Sequence, residues 1–485
     1  MASDEDRRKL LKPKVAAEEV LSILNDFYVA GDEHAEVLRE LDSYDDANYL
    51  VKIDGERALL KIHNGVESEK YIRLHAARKR AEPNNGEGVS APTESSIIDL
   101  HTALYNHLAK PEYNVNTCKT IPVKRPPSKE DYGDHSVCIR KLPVVSSEHP
   151  PQNLVIRLHT WVDGIPLSST KFFPLETLVD AGAYLGRMCH ALDDLVASDA
   201  SALEISKRYF AWDGRHLMDA MPYVEHIDDP ERRKLVSSVI DTFRKVILEG
   251  GEGNKFRLGI NHGDFSDANI IVSDLDNTGL RVSGAIDFGD TVYRLVIPPM
   301  CGCRCQLLVK LETLDRRRAR AQSLLLTLLT AIYLPCKSWR VLDVTTAMAY
   351  ALLTSYGKAG RSISAACAVL RGFHHSYPLT PDERKHLRLL VASRLALSVT
   401  FGNYSFKKNP ANEYLLLHAK PAWNALDLLW GKQLPDAIDN AFNVACENIK
   451  VKKGSTTPEC ADVSFPDPWI PDLLASARSE LTKAT

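Results

Sequence analysis

Two short segments constrain this chain more than any other feature of its sequence. The first, INHGDFSDANIIV, places His262, Asp264 and Asn269 directly ahead of a β-branched run, and the second, VSGAID, ends on Asp287. The turn-rich stretch SDLDNTG between them predicts an antiparallel hairpin centred near Thr278, in which Asn269 and Asp287 face each other. Directly opposed residues lie about 5 Å apart. The pattern therefore predicts that an amide and two carboxylates converge at the open end of this hairpin.

This group of polar side chains has two interpretations. A polar turn ahead of a strand is the simpler one, since Gly, Asp, Ser and Asn are common turn formers. The other is phosphoryl transfer, which needs Mg²⁺ on the phosphates, a carboxylate to orient the attacking hydroxyl, and a lysine. Because Mg²⁺ prefers oxygen ligands, we assign Asn269 and Asp287 to the metal and Asp264 to the base. His262 would support the loop by hydrogen bonding, and a structural histidine is its more common role.

The overall composition is that of an ordinary soluble protein. The 485 residues are 44% hydrophobic and 25% charged, with a formal net charge of −3. This balance gives no reason to expect a nucleic-acid or membrane partner. The cysteines lack the spacing of small disulfide-bonded domains, which favours reduced thiols. The charged N-terminus lacks the apolar core of a signal peptide. The longest apolar stretch, SLLLTLLTAIYL, is too short to cross a bilayer. We therefore expect a cytoplasmic protein.

The order of patterns along the chain predicts an α+β fold with two lobes. Asp54-Gly55 separates two apolar runs and predicts a β-hairpin, whereas from about Pro174 the spacing of apolar residues is mostly helical. The predicted order is a tail (1–14), a small β-rich N-lobe (15–158) with a polar insertion (about 70–95), a connector (159–166), a mostly helical C-lobe (167–450) and a polar extension (451–485).

The two segments also carry a family resemblance. HGDFSDAN has the form H-G-D-x-x-x-x-N, and AIDFGD supplies D-F-G. Together they resemble the aminoglycoside phosphotransferase/choline kinase family, a branch of the protein-kinase-like superfamily. The resemblance implies a two-lobed protein-kinase-like fold and Mg²⁺-dependent phosphorylation of a hydroxyl group. Protein kinases have an arginine where this chain has Gly263.

Longer stretches resemble one group within that family, the hydroxylysine kinases. They include SYDDANYLVKIDGERALLKIHN, FAWDGRH and PLTPDERKHLRLLVASRLALSV, and the similarity extends over most of residues 40–430. The resemblance implies transfer of the γ-phosphate of GTP to the 5-hydroxyl of 5-hydroxy-L-lysine, a small cationic amino acid. The sequence itself does not choose between GTP and ATP. A choline, ethanolamine or aminoglycoside-type kinase is the alternative within the family.

The same resemblance implies a nucleotide site in the N-lobe. Lys61, inside the apolar run ALLKIH, would hold the α- and β-phosphates, although a surface lysine is the simpler interpretation. The segment from Ser43 to Asn48 would cover the phosphates through backbone N–H groups and the Ser43 hydroxyl, since it contains no glycine. Asp99 is the best-placed acid on the following helix and would pair with Lys61, one methylene shorter than the usual glutamate.

An amino-acid substrate with two ammonium groups and a carboxylate requires acidic walls and an arginine. The candidates are Asp213 beside Trp212, Asp290 after D-F-G, and Arg394 in the C-terminal helices. Each has an alternative. Asp213 could cap a helix, Asp290 could be a second metal ligand, and Arg394 could pair with a buried acid.

Residues from about 294 to 339 interrupt the family pattern after D-F-G. We interpret them as a family-foreign insertion or a gene-model artefact. Their CGCRC run lacks the C-x₂₋₄-C spacing of structural zinc sites, so unligated thiols are expected. The insertion and the aspartate at position 99 motivate an alternative of another class, a non-catalytic pseudokinase that serves as a binding module.

Overall fold

An antiparallel sheet of six strands forms the first lobe of the protein. The computed structural model describes residues 4–43, 45–81, 96–124, 136–198, 212–274, 279–290, 338–355, 361–408, 419–431, 435–447, 449–451 and 458–459. The strands follow the order β1-β2-β3-β6-β4, and β5 pairs with the same edge of β6 as β4 does. Their bounds are β1 Ala35–Leu41, β2 Ala47–Ile53, β3 Glu56–Ile62, β4 Thr120–Ile121, β5 Cys138–Leu142 and β6 Gln152–Thr160.

The hairpin between β2 and β3 is confirmed. Its turn residues, Asp54 and Gly55, both have positive φ angles of 53° and 86°, as a two-residue turn of the type preferred between antiparallel strands requires. The register pairs Asn48 with Lys61. The side chain of Lys61 therefore projects from β3 on the same face as those of Asn48 and of Arg157, its partner on β6.

Four helices accompany the sheet: α1 Asp4–Leu10, α2 Ala17–Phe27, α3 Gly65–Arg80 and α4 Ile97–Leu108. Helix α3 overlaps the start of the predicted polar insertion. Although the segment is strongly charged, the Asn64 side chain caps its first turn by accepting from Val66 N, and Tyr71 and Leu74 are buried, which explains the helix. The remainder of that predicted insertion, residues 82–95, lies outside the described residues.

The second lobe is mostly helical and has its own apolar core. The helices that contain Gly182 and Gly372 cross so closely that neither position has room for a side chain. A Cβ on Gly182 would lie 2.0 Å from the Val369 carbonyl oxygen, and one on Gly372 would lie 1.8 Å from the Val179 carbonyl oxygen. The helices are α5 Leu175–Ser198, α6 Pro230–Phe243, α7 Val341–Ser355, α8 Ser362–Ser376, α9 Pro381–Lys385, α10 Leu387–Lys408, α11 Ala419–Trp430 and α12 Pro435–Cys446. The predicted two-lobed α+β fold is thus confirmed.

A short connector joins the lobes at a second, three-stranded sheet. After β6, the chain enters β7 (Ile165–Pro166), which pairs with β9 (Ile270–Ser273), and β9 pairs with β10 (Arg281–Ala285). Gly164 precedes β7 with a φ of 134°, and a Cβ there would lie 2.5 Å from the Val272 carbonyl oxygen. Only glycine fits this approach of the connector to the hairpin.

The register of the β9–β10 hairpin differs from the predicted one. Ala285 pairs with Ile270, and Ile286 donates its backbone N–H to the carbonyl oxygen of Asn269 (3.0 Å). Asn269 is therefore opposite Ile286 and not opposite Asp287. An irregularity within β10 shifts the pairing by one residue, and such bulges are not visible in a sequence pattern.

Two residues at the end of the predicted insertion belong to the C-lobe. Ser338 and Trp339 form β11, which pairs with β8 (Leu258–Gly259), and the Trp339 ring packs edge-on against Phe256. The rest of that segment, including its four cysteines at positions 301, 303, 305 and 336, lies outside the described residues. No helix in the described part of the chain is long and apolar enough to cross a bilayer.

Candidate active site

The predicted catalytic loop, residues 262–269, directly precedes β9, and a buried carboxylate binds its backbone. Asp343, in the first turn of α7, accepts hydrogen bonds from the backbone N–H groups of His262 and Gly263, both at 3.0 Å. Burial raises the pKa of Asp343, and the two N–H donors only partly offset it. The loop backbone therefore has one fixed position, set by a residue that follows it by about eighty positions.

His262 is fully buried inside this loop. Its Nε2 lies 3.1 Å from the carbonyl oxygen of Ile286, so that nitrogen carries the proton. The imidazole also packs against the Phe265 and Phe288 rings. These contacts join the catalytic loop to the D-F-G segment, and they are those of a supporting residue.

Asp264 lies at the centre of the loop with partners on both carboxylate oxygens. Asn269 Nδ2 donates to Asp264 Oδ2 (3.0 Å) and to the Asp264 carbonyl oxygen (2.9 Å). On the other side, Arg394 Nη2 is 3.4 Å from Oδ1. The structure thus brings together the predicted base, one predicted metal ligand and one predicted substrate residue.

Asp287 begins the D-F-G segment in an unusual backbone conformation. Its φ is 61°, in the left-handed region that non-glycine residues rarely adopt outside turns and functional sites. One carboxylate oxygen accepts from Gly289 N at 3.1 Å, and the side chain is exposed. Behind it, His101 Nε2 on α4 lies 2.8 Å from the carbonyl oxygen of Phe288. Helix α4 therefore contacts the segment that positions this carboxylate.

The donor set at the hairpin fits a hard divalent cation. The Asn269 amide uses its Nδ2 to hold Asp264, which leaves Oδ1 as its remaining ligand atom, and Asp287 adds an exposed carboxylate. One carboxylate, one amide and several waters are an ordinary Mg²⁺ environment. Within the described ranges no cluster of three or more His, Cys, Asp or Glu side chains could hold a metal ion.

Lys61 projects toward the same region from the N-lobe. Its Nζ lies 2.7 Å from Asp46 Oδ2, and both side chains are mostly buried. Burial lowers the pKa of Lys61, but Asp46 and then Asp287 outweigh it, so the net pKa is raised. For Asp46 the effects have the opposite sign: burial raises its pKa, the attraction of Lys61 lowers it, and the net pKa lies below the usual value. The pair is ionised, and Asp287 is near enough to act on it.

The predicted pairing of Lys61 with Asp99 is wrong. Asp99 bonds to His75 Nε2 (2.7 Å) and to Arg78 Nη1 (3.3 Å) on α3. It also forms a capping box with Ser96 at the start of α4. In a capping box the N3 side chain accepts from the N-cap backbone N–H, here that of Ser96 (3.0 Å), so the Asp99 carboxylate is engaged at the start of α4 and by α3.

The loop between β1 and β2 supplies the partner of Lys61 instead. Asp46 directly precedes β2, and its Oδ1 accepts from the backbone N–H of Asn64 (2.8 Å). The predicted phosphate-covering residue Ser43 lies in the same loop, where its carbonyl oxygen accepts from Lys12 Nζ (2.5 Å). Its role toward a nucleotide stays a prediction.

On the acceptor side, one predicted substrate residue is contradicted. The Asp213 side chain is buried. It accepts hydrogen bonds from the backbone N and the guanidinium of Arg215 and from Ser338 Oγ (3.2 Å). It caps the short helical segment Gly214–His226 and has no surface for a substrate. Trp212, its neighbour, stays in the site because its ring faces the guanidinium of Arg394. The side chain of Asp290 lies outside the described residues.

Three residues at the site were not singled out from the sequence. They are Asp46, Asp343 and Tyr350, whose hydroxyl lies 3.3 Å from Arg394 Nη2. Burial raises the pKa of Tyr350 to about 12, so it is a neutral donor beside the base. Asp46 had a detectable signal, since the hairpin register sets it two positions from the partner of Lys61 on the same face.

Comparisons with known proteins show which family the chain belongs to. Residues 37–297 match the sequence model of the Phosphotransferase enzyme family, APH. Hydroxylysine kinase from Bos taurus is 24% identical over 399 residues, which cover 81% of this chain and 84% of that protein. Hydroxylysine kinase from Danio rerio is 22% identical over 423 residues, 86% and 92% of the two chains. A solved structure of the amicoumacin kinase hAmiN with AMP-PNP, Ca²⁺ and Ami is 14% identical, with a TM-score of 0.49 and coverage of 85% and 94%.

Proposed function

Because the chain belongs to the Phosphotransferase enzyme family and is a kinase-type enzyme with a hydroxyl acceptor, we propose that it transfers the γ-phosphate of GTP to the 5-hydroxyl of 5-hydroxy-L-lysine. The observation that carries the proposal is the Asp264 carboxylate, held by Asn269 at one oxygen and facing Arg394 at the other. The similarity to hydroxylysine kinases over four fifths of the chain supports the choice of acceptor.

Each residue of the site has a role in this reaction. Asp264 orients the acceptor hydroxyl and accepts its proton as the oxygen attacks the γ-phosphorus. Asn269 and Asp287 would hold Mg²⁺, which neutralises charge on the phosphates when bound. Lys61, ionised beside Asp46, binds the α- and β-phosphates. His262 and Asp343 keep the loop in position through the contacts described above.

The acceptor is a small cationic amino acid in this proposal. Its carboxylate distinguishes it from choline and ethanolamine, and Arg394 is the cation beside the base that a carboxylate would meet. A non-catalytic role is not favoured, because Lys61, Asp264, Asn269 and Asp287 are all present and the relatives are kinases.

The test is a panel of acceptors with the purified protein, MgCl₂ and either GTP or ATP, with release of nucleoside diphosphate as the readout. We expect 5-hydroxy-L-lysine with GTP to give the highest kcat/KM. Higher turnover of choline, ethanolamine or an aminoglycoside would refute the proposed acceptor. Equal or higher kcat/KM with ATP would refute the proposed donor.

A further inference from the structure

Arg394 is a nearly buried cation beside the predicted base. It lies on α10, is 8% exposed, and is the only cation recorded on the predicted base in the described part of the chain. Nη2 lies 3.4 Å from Asp264 Oδ1 and 3.3 Å from the Tyr350 hydroxyl, while Nη1 donates to the Trp212 carbonyl oxygen at 3.3 Å. One guanidinium therefore links the catalytic loop, α7 and the segment before Gly214.

Two aromatic rings, those of Trp212 and Tyr350, flank the Arg394 guanidinium. Its central carbon is 5.4 Å from the centre of the Trp212 ring and 5.7 Å from that of Tyr350. Cations at such distances from ring faces are attracted by the ring quadrupole, and a planar guanidinium can stack. Trp212 is itself supported by an edge contact with Phe401 at 5.2 Å. The two rings orient the guanidinium, and its Nη2 faces the base.

The contact with the base is an open ion pair. Charge-assisted N–H···O bonds are typically about 2.7–2.9 Å long, and this chain has such a pair in Arg257 and Glu383, at 2.7 Å. The Arg394–Asp264 separation of 3.4 Å is longer than that range. Asn269 and Ser266 lie on Oδ2 of Asp264, which makes Oδ1 the less crowded oxygen for an acceptor hydroxyl. Arg394 competes with the acceptor for that oxygen.

We propose that Arg394 reads the carboxylate of an amino-acid acceptor, and that this carboxylate draws the guanidinium away from Asp264 Oδ1 so that the acceptor hydroxyl can take its place. This proposal rests on the proposed function and adds the rule by which acceptors are selected. An acceptor without a carboxylate leaves Arg394 on the base. The site then selects hydroxy amino acids over amino alcohols that carry the same hydroxyl and the same amines.

The dimensions of hydroxylysine suit this arrangement. Four carbon–carbon bonds separate its C5 from its carboxyl carbon, which spans about 5 Å in an extended chain. One guanidinium next to Asp264 can therefore hold the carboxylate while the 5-hydroxyl reaches Oδ1. A site built to bind a charged group rejects an analogue that lacks it far more strongly than an apolar pocket does.

The experiment compares 5-hydroxy-L-lysine with 1,5-diaminopentan-2-ol, which has the same hydroxyl and both amines but no carboxylate. Both acceptors are assayed with the wild type, Arg394→Met and Arg388→Met. Arg388 is a matched control on the same helix, where it pairs with Asp439 (2.9 Å) and lies over the Trp430 ring. The KM for GTP and the melting temperature report on folding.

In the wild type, we expect kcat/KM to favour hydroxylysine by about 10- to 100-fold, as one charge-assisted pair provides. Arg394→Met should reduce this ratio to below about threefold, mainly by loss of activity on hydroxylysine, whereas Arg388→Met should preserve it. A ratio that is unchanged in Arg394→Met, or near one in the wild type, would overturn the selection by carboxylate.

The two proposals fail in different ways. If the wild type phosphorylates another hydroxy amino acid in place of hydroxylysine, the proposed acceptor is wrong, and the same ratio measured on that acceptor and its decarboxylated form still supports or refutes the role of Arg394. If only acceptors without a carboxylate are phosphorylated, both proposals are wrong.

Discussion

At the scale of single residues, the ion pair of Lys61 and Asp46 contributes to the charge of the proposed nucleotide site. Protein kinases set the equivalent lysine against a glutamate on a helix. Here the acid comes from the loop between β1 and β2, and Asp99 on α4 serves as a helix cap. The carboxylate that holds Lys61 thus lies on the segment expected to cover the phosphates. The position of that loop and the orientation of the lysine are coupled.

Matched substitutions separate these two aspartates. We expect Asp46→Asn to raise the KM for GTP by about tenfold, since Lys61 loses a charged partner worth roughly 1.4 kcal/mol. Asp99→Asn should leave that KM within about twofold of the wild type and lower the free energy of unfolding by at most about 1 kcal/mol, because the amide loses the charge that pairs with His75 and Arg78. Steady-state kinetics and urea denaturation give both quantities, and a larger effect on KM from Asp99→Asn would contradict the assignment.

The site residues differ in how far the sequence could predict them. Asp264 and Asn269 are five positions apart on one loop, so their spacing alone places them together. Asp46 could have been found from the β2–β3 turn, which fixes the register of Lys61. Asp343 could not, because no local pattern indicates which distant helix will meet the loop backbone. Its contact depends on the packing of α7, which only the tertiary structure contains.

At the scale of elements, the core between β3, β6 and α4 contains basic groups that stay uncharged. His63 follows β3 and His159 lies on β6, and both are almost fully buried. Burial lowers the pKa of each well below 6.5, and the nearby charges of Arg157 and Lys61 lower it further. Arg157 Nε also donates to His63 Nε2 at 2.9 Å, so protonation of His63 would set two N–H groups against each other.

This arrangement predicts a fall in stability under mildly acidic conditions. Because the folded-state pKa lies below the unfolded value of about 6.5, the unfolded chain binds more protons as the pH falls below 6.5. Each histidine should then cost about 1 kcal/mol between pH 6.5 and 5.5 and about 1.4 kcal/mol per further pH unit until its folded-state pKa is reached, with almost no effect above pH 7.5. The free energy of unfolding at pH 7.5, 6.5 and 5.5 measures this loss.

His63→Gln provides the control, since glutamine can still accept from Arg157 but does not titrate. We expect the loss between pH 6.5 and 5.5 to be smaller in this variant by about 1 kcal/mol, because the unfolded histidine is already half protonated at pH 6.5. An identical dependence on pH in the wild type and the variant would show that His63 does not contribute.

The hairpin at the site illustrates why element boundaries and registers resist prediction. The β-branched run and the turn residues indicated both strands and their antiparallel pairing, which the structure confirms. The exact opposition of Asn269 and Asp287 failed because one irregular residue in β10 changes the register by one. Asp287 instead follows the residue opposite Asn269 and turns through a left-handed backbone conformation.

At the scale of the whole molecule, the two lobes meet around the hairpin and α4. The sequence indicated both lobes through the change from alternating to helical spacing, but it assigned Ser338 and Trp339 to an insertion. In the structure, Ser338 bonds to Asp213 and Trp339 packs into the C-lobe core. Their partners, Asp213 and Phe256, are distant in sequence, so nothing local marks this boundary.

Two deletions test that boundary. Replacing residues 294–337 with a short glycine–serine linker should preserve phosphate transfer to within about tenfold, if the segment is foreign to the family as we propose. Removing Trp339 as well should lower the free energy of unfolding by a further amount of about 3–5 kcal/mol, the usual effect of losing a buried tryptophan. Equal stability of the two variants, or failure of the 294–337 replacement to fold, would contradict the boundary placed before Ser338.

The most direct test of the central claim follows label from the γ-phosphate of GTP into 5-hydroxy-L-lysine with the wild type and Asp264→Asn. Asparagine preserves the shape of the side chain but cannot accept the proton of the acceptor hydroxyl. We predict labelled phosphohydroxylysine from the wild type, a fall in kcat of about 10²- to 10⁴-fold in the variant, and GTP binding within about threefold of the wild type. Transfer by Asp264→Asn at the wild-type rate would contradict the account.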